Sequence, residues 1–156
     1  MHCNPPLSFS TSSETYIASA LRDGTAIAVS DGSYKEEWGL EALIIEGPDH
    51  ATRLITATCT SPGHPKDKDA YRSELAGIFH MVSIVEEISR KFNIPEGAIM
   101  IACNGLSNHF DLISAIDHKI LKYPLTWYWI YVKGREEDQT DPLDRWVSLN
   151  VECDTA

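Results

Sequence analysis

Over residues 69–92 the apolar side chains recur at intervals of three and four: Ile78, Met81, Val85, Ile88 and Phe92 fall on one line, with Leu75 and Val82 beside it. Only an α-helix gathers such positions onto one face. Glu86–Arg90 and Glu87–Lys91, each four apart with the acid first, lie on the flank and support the same helix. A long helix with a single apolar stripe must cover another apolar surface.

The surface is supplied upstream. Ala26-Ile27-Ala28-Val29 is a short apolar run ending in Asp31-Gly32-Ser33; Leu40-Glu41-Ala42-Leu43-Ile44-Ile45 follows before Gly47-Pro48; Arg53 to Cys59 alternates and stops before Ser61-Pro62-Gly63. Three strands with short turns predict an antiparallel meander. Asn93, Pro95 and Gly97 end the helix, residues 99–103 read as a buried strand, 106–116 as a second helix, 127–132 as an apolar strand and 143–153 as a closing helix. The order βββαβαβα predicts an α/β fold: a five-stranded mixed sheet, its first three strands antiparallel, with helices on its faces. Residues 1–20, with Pro5-Pro6 and a Ser/Thr cluster, show no clean period and read as a flexible arm or linker before a domain over 21–156.

At 156 residues, 43% of them apolar, the chain is long enough for one cored domain. Thirteen basic against 23 acidic residues give a net charge of −10, which argues against a protein whose main task is coating nucleic acid. Nine of the 13 basic residues nonetheless fall between Lys66 and Arg135, leaving room for a local positive face. No apolar run approaches the roughly 20 residues of a membrane span, and the N-terminus lacks the pattern of a secretory signal, so the expected setting is intracellular, cytoplasmic or nuclear. Cys3, Cys59, Cys103 and Cys153 are far apart, and His50, His64, His80, His109 and His118 pair neither with them nor with each other at metal spacing. Neither a zinc site nor a disulfide framework is expected, and the histidines read as solvated. Trp127, Trp129 and Tyr131 alternate with Tyr128 and Ile130; this is either a base-stacking platform or, the reading preferred here, packing on a central strand.

Three carboxylates stand out. Glu74 lies four residues before Ile78 at the head of the helix's apolar stripe, where it either points at the sheet or sits half-exposed at the helix edge. Asp31 ends the first strand and is either a placed carboxylate or half of an Asp-Gly hairpin turn. Asp154 follows Val147 and Val151 at helical spacing, near an apolar face or solvated at the terminus.

Taken together, the motifs resemble those of the RNase H domain, particularly the form carried by retroelement polyproteins. Val29-Ser30-Asp31-Gly32-Ser33-Tyr34 is similar to the family's first-strand motif, Tyr71-Arg72-Ser73-Glu74-Leu75-Ala76-Gly77-Ile78 to its first-helix motif, and Ile101-Ala102-Cys103-Asn104-Gly105 to its fourth-strand motif. Tyr131-Val132-Lys133-Gly134 and Leu149-Asn150-Val151-Glu152-Cys153-Asp154 are similar to its fifth strand and closing helix. The resemblance implies an RNase H-like fold and a metal-dependent nuclease cutting the RNA strand of an RNA/DNA hybrid. It implies two Mg²⁺ (or Mn²⁺) ions held by Asp31, Glu74 and Asp154, with position 104 completing the catalytic set, and hybrid contacts from Ser33, Tyr34, Arg72 and Arg135.

Two positions depart from the family pattern. Asn104 stands where the third carboxylate is found, and the loop after Gly134 reads Arg135-Glu136-Glu137-Asp138 where a histidine commonly assists product release. The chain also stops two residues past Asp154, which implies a closing helix truncated from a larger open reading frame. The expected partners are a hybrid substrate and a covalently linked reverse transcriptase, with the domain a monomer; the alternative is a catalytically impaired relic that only folds, or binds nucleic acid or a protein.

Overall fold

A computed structural model describes residues 10–35, 38–49, 53–64, 66, 69–103, 110–131, 148, 149 and 153. The elements are α1 (Thr11–Asp23), β1 (Ala26–Lys35), β2 (Trp38–Glu46), β3 (Arg53–Thr60), α2 (Ala70–Lys91), β4 (Gly97–Cys103), α3 (Phe110–Lys122) and β5 (Leu125–Tyr131). The sheet order is β3-β2-β1-β4-β5. β1, β2 and β3 form an antiparallel meander; β4 joins β1 in parallel, with Val29 opposite Ala102, and β5 joins β4 in parallel. This is the five-stranded mixed sheet expected from the sequence, with its first three strands antiparallel as expected.

The first helix was not expected. Residues 11–20 belong to α1, not to a flexible arm. The Ser10 hydroxyl accepts a hydrogen bond from the Ser13 amide at 3.2 Å, and Gly24, at φ 67°, closes the other end in the left-handed conformation glycine adopts readily. Ile17, Ala18, Ala20 and Leu21 are buried. Their stripe is short and built half of alanine, so the Ser/Thr background conceals its period. β4 passes so close that a Cβ on Gly97 would lie 2.4 Å from the Leu21 carbonyl oxygen.

α2 is capped by Asp69, whose carboxylate accepts from the Arg72 amide at 2.7 Å. Its stripe packs as predicted: Ile78, Met81, Val85 and Ile88 meet Ala28, Leu43, Ile45, Ile99 and Ile101, with Ile17 and Leu21 of α1 in the same core. The opposite face of the sheet carries a smaller core of Val29, Ala42, Ile44 and Ala102 under Leu149 and Cys153. The flanking charges pair between helices more than within one. Glu86 receives Lys119 and Lys122 of α3 at 2.6 and 2.9 Å, Lys91 reaches Glu14 of α1 at 2.5 Å, and Arg90 pairs with Glu87. β5 lies at the sheet edge, not its centre, so Tyr128 and Trp129 are 54% and 46% exposed while Trp127 packs on the core.

Candidate active site

β1 runs uninterrupted through Asp31-Gly32, which excludes the hairpin-turn reading of that pair. Gly32 is required by space: a Cβ there would lie 2.2 Å from the Glu74 amide nitrogen and 2.7 Å from its Cα. Strand and helix backbones touch at this point, and only glycine permits it. The contact sets Glu74 next to Asp31, which is 8% exposed.

Glu74 is partly buried, and its Oε2 is shielded from solvent with no hydrogen-bond partner among the described residues. Burial first, and the neighbouring charge of Asp31 second, push its carboxyl from 4.5 up to about 7. The thiol of Cys103, at the end of β4, is raised by its own burial and then by the charge of Glu74. Glu74 thus lies within electrostatic reach of Asp31 on β1 and of Cys103 at the end of β4.

Two repelling carboxylates in a half-desolvated place call for a positive charge. Their donor set is all oxygen, which fits a hard divalent cation of the Mg²⁺ or Mn²⁺ class. Such an ion would satisfy the orphaned Glu74 oxygen and turn its repulsion from Asp31 into shared attraction. Asp31 and Glu74 are the described residues that would hold it; Asn104, Asp154 and Arg135 lie outside the described residues. Cys153, just before Asp154 in sequence, is buried, and its Sγ lies 3.9 Å from the carbonyl oxygen of Val29, two residues ahead of Asp31.

Ser33 and Tyr34 are exposed just beyond Asp31. Arg72 is a correction: it is buried, clasping Asp111 through Nη1 and Nη2 at 3.2 and 2.8 Å and donating from Nε to the Pro62 carbonyl at 2.8 Å. That guanidinium ties α2 to α3 and to the loop after β3, and it holds the Asp111 carboxyl below its usual range. It is not presented to a ligand. In its place the β1–β2 hairpin offers a surface not anticipated from sequence. Asp31, Ser33 and Lys35 stand opposite Ala42, Leu40 and Trp38, so these side chains share one sheet face. Trp38 and Leu40 are 62% and 50% exposed. Their spacing of two hinted at a common face, but only the register places that face beside Asp31.

No family model matches the sequence, and no curated protein matches it. Among solved structures, RNase H1 from the halophilic archaeon Halobacterium salinarum superposes over 84% of this chain and 98% of its own, with a TM-score of 0.52 at 14% identity. The N-terminal RNase H domain of a Mycobacterium tuberculosis protein covers the same shares at a TM-score of 0.44 and 12% identity. The fold is RNase H-like.

Proposed function

We propose that this chain is a metal-dependent ribonuclease H that hydrolyses the RNA strand of RNA/DNA hybrids, and that it derives from a retroelement polyprotein in which a linked reverse transcriptase supplies most of the grip on the substrate. The observation that carries this reading is the buried oxygen of Glu74 beside Asp31, which has no partner among the described residues. A protein leaves such a group unsatisfied at a cost of about 1–3 kcal/mol, which a substrate-activating ion would offset. Asp31, Glu74 and Asp154 would hold two Mg²⁺ or Mn²⁺ ions, with Asn104 lending a carbonyl oxygen; the ions supply the activated water and the stabilised leaving oxygen of an in-line displacement.

On the protein side, Asp31 and Glu74 would set where the ions, and through them the scissile phosphate, lie relative to the hairpin. Ser33, Tyr34 and Arg135 would meet the hybrid backbone, joined by Lys35 and the exposed Trp38. Hybrid would be recognised through backbone and 2′-hydroxyl contacts, without a base code. The linked polymerase accounts for a net charge of −10 on a nucleic-acid enzyme. No helix among the described residues is long and apolar enough to cross a membrane. The proposed enzyme works inside the cell as a monomer.

A labelled-hybrid cleavage assay with Mg²⁺ or Mn²⁺ tests the reading: cleavage abolished in Asp31→Asn and Glu74→Gln supports it. Asn104 favours the second reading, a folded relic without activity, and absence of cleavage at high protein concentration would select that one.

A further inference from the structure

We propose that Glu41, Cys59 and His80 form a second metal site, built for a borderline divalent ion of the zinc type and separate from the carboxylates at Asp31. Glu41 of β2 and Cys59 of β3 are direct cross-strand partners, so their side chains stand together on the face that α2 covers. His80 of α2 comes down between them. One ligand atom from each of the three lies within 4.8 Å of the others. A tetrahedral ion with bonds of about 2.0–2.3 Å needs its ligands roughly 3.3–3.8 Å apart, a closure that side-chain torsions of a long glutamate and a helical histidine can supply.

The donor set selects the ion. A thiolate and an imidazole discriminate against Mg²⁺ and favour Zn²⁺ or Co²⁺, and a carboxylate is an accepted third ligand. The site is also prepared. The Glu41 side chain is fully buried; its Oε1 contacts His80 Nδ1, and its Oε2 accepts the Ser61 hydroxyl at 3.1 Å. Ser61 Oγ also lies 2.9 Å from Ser73 Oγ, and because Ser73 gives its one proton to the Asp69 carbonyl at 3.1 Å, the bond of Ser61 to the Glu41 carboxylate excludes one from Ser61 to Ser73. An outer bond of this kind orients a carboxylate ligand. The His80 side chain is 14% exposed, so the cluster reaches solvent on that side, from which a fourth, water ligand would come. Binding would release the Cys59 thiol proton and replace the direct Glu41–His80 contact by a shared ion. The expectation that the histidines are solvated is thereby corrected for His80; exposed His64 and His118 agree with it.

Cobalt titration of the reduced full chain decides the matter without reference to cleavage. Saturation near one equivalent with thiolate-to-cobalt charge-transfer absorption, lost on adding Zn²⁺, is the expected result. Cys59→Ser should abolish that absorption, Ser61→Ala should weaken cobalt binding about 10–100-fold, and Asp31→Asn should leave it unchanged. Absence of thiolate absorption in the unaltered chain would reduce the cluster to a hydrogen-bonded network and overturn the proposal. So would absorption that survives in Cys59→Ser, since Cys3, Cys103 or Cys153 would then be the ligand.

Discussion

Two glutamates at the interface of α2 with the sheet, Glu74 and Glu41, show how differently a fold can treat the same buried side chain. Glu41 is the more deeply buried, yet a histidine meets one of its oxygens and a serine the other. Glu74 is only partly buried, but one oxygen has no partner among the described residues and the charge that acts on it is another carboxylate, Asp31. Depth of burial therefore does not decide whether a carboxylate is satisfied without metal. What separates them in the metal-free protein is demand left unmet: His80 and Ser61 answer Glu41 until the proposed zinc-type ion takes the place of the direct His80 contact, whereas Glu74 has only a cation to answer it. It follows that the fold is stable at Glu41 without metal and strained at Glu74 without it.

The largest expected effect breaks the Glu41 side of the contrast. His80→Ala leaves a buried carboxylate facing an empty place, and should lower unfolding free energy by about 3 kcal/mol in urea titrations with chelator present. Glu41→Gln, which retains an acceptor for Ser61, should cost clearly less; equal losses would mean that the Glu41–His80 contact contributes little.

Glu74 should behave in the opposite sense. A carboxyl raised from 4.5 to about 7 binds its proton more tightly in the folded protein than in the unfolded chain. Stability contributed here is greatest below pH 4.5, falls as pH rises toward 7, and is level above that. Glu74→Gln should therefore stabilise the metal-free protein at pH 8 by about 2 kcal/mol, after allowance for partial exposure, and change little at pH 5. Thermal melts with chelator across that range check it, and millimolar Mg²⁺ should erase the advantage by stabilising only the unaltered chain.

Arg72→Lys, two residues from Glu74 on the same helix, should cost about 1.5 kcal/mol because a single ammonium cannot reproduce the fork onto Asp111 and the bond to Pro62. Its hybrid affinity, measured by fluorescence anisotropy across a salt series, should keep the slope of the unaltered chain; a shallower slope would restore Arg72 to the nucleic-acid surface. The smallest effect is expected from Asn104→Asp, which in the proposed site adds a further carboxylate to Asp31 and Glu74. It should lose about 1 kcal/mol without metal, yet gain melting temperature more steeply with Mg²⁺ or Mn²⁺. Identical metal responses would remove position 104 from the site.

Much of this was legible in the order of residues, and the reason is local periodicity. The α2 stripe and the alternation of the first three strands are properties of neighbouring residues, and hydrophobic burial obliges each element to face a core. Asp31 and Glu74 could be singled out for the same reason: each interrupts, or heads, an apolar pattern that has no local use for a charge. α1 escaped because alanines among serines and threonines carry little amphipathic signal, and its burial is supplied by β4 and the sheet.

What only the tertiary structure decided depends on pairs that are distant in sequence. Whether Asp31-Gly32 was strand or turn was settled by α2 crossing Gly32 too closely for any side chain. Arg72 became a strut because Asp111, 39 positions away, came within reach of its guanidinium. Glu41, Cys59 and His80 lie on three elements, and no spacing rule joins them, because strand register and helix placement, not chain proximity, bring their ligand atoms together. Sequence determined which groups would be unhappy if buried; the packing of α2 on the sheet determined which of them would find partners.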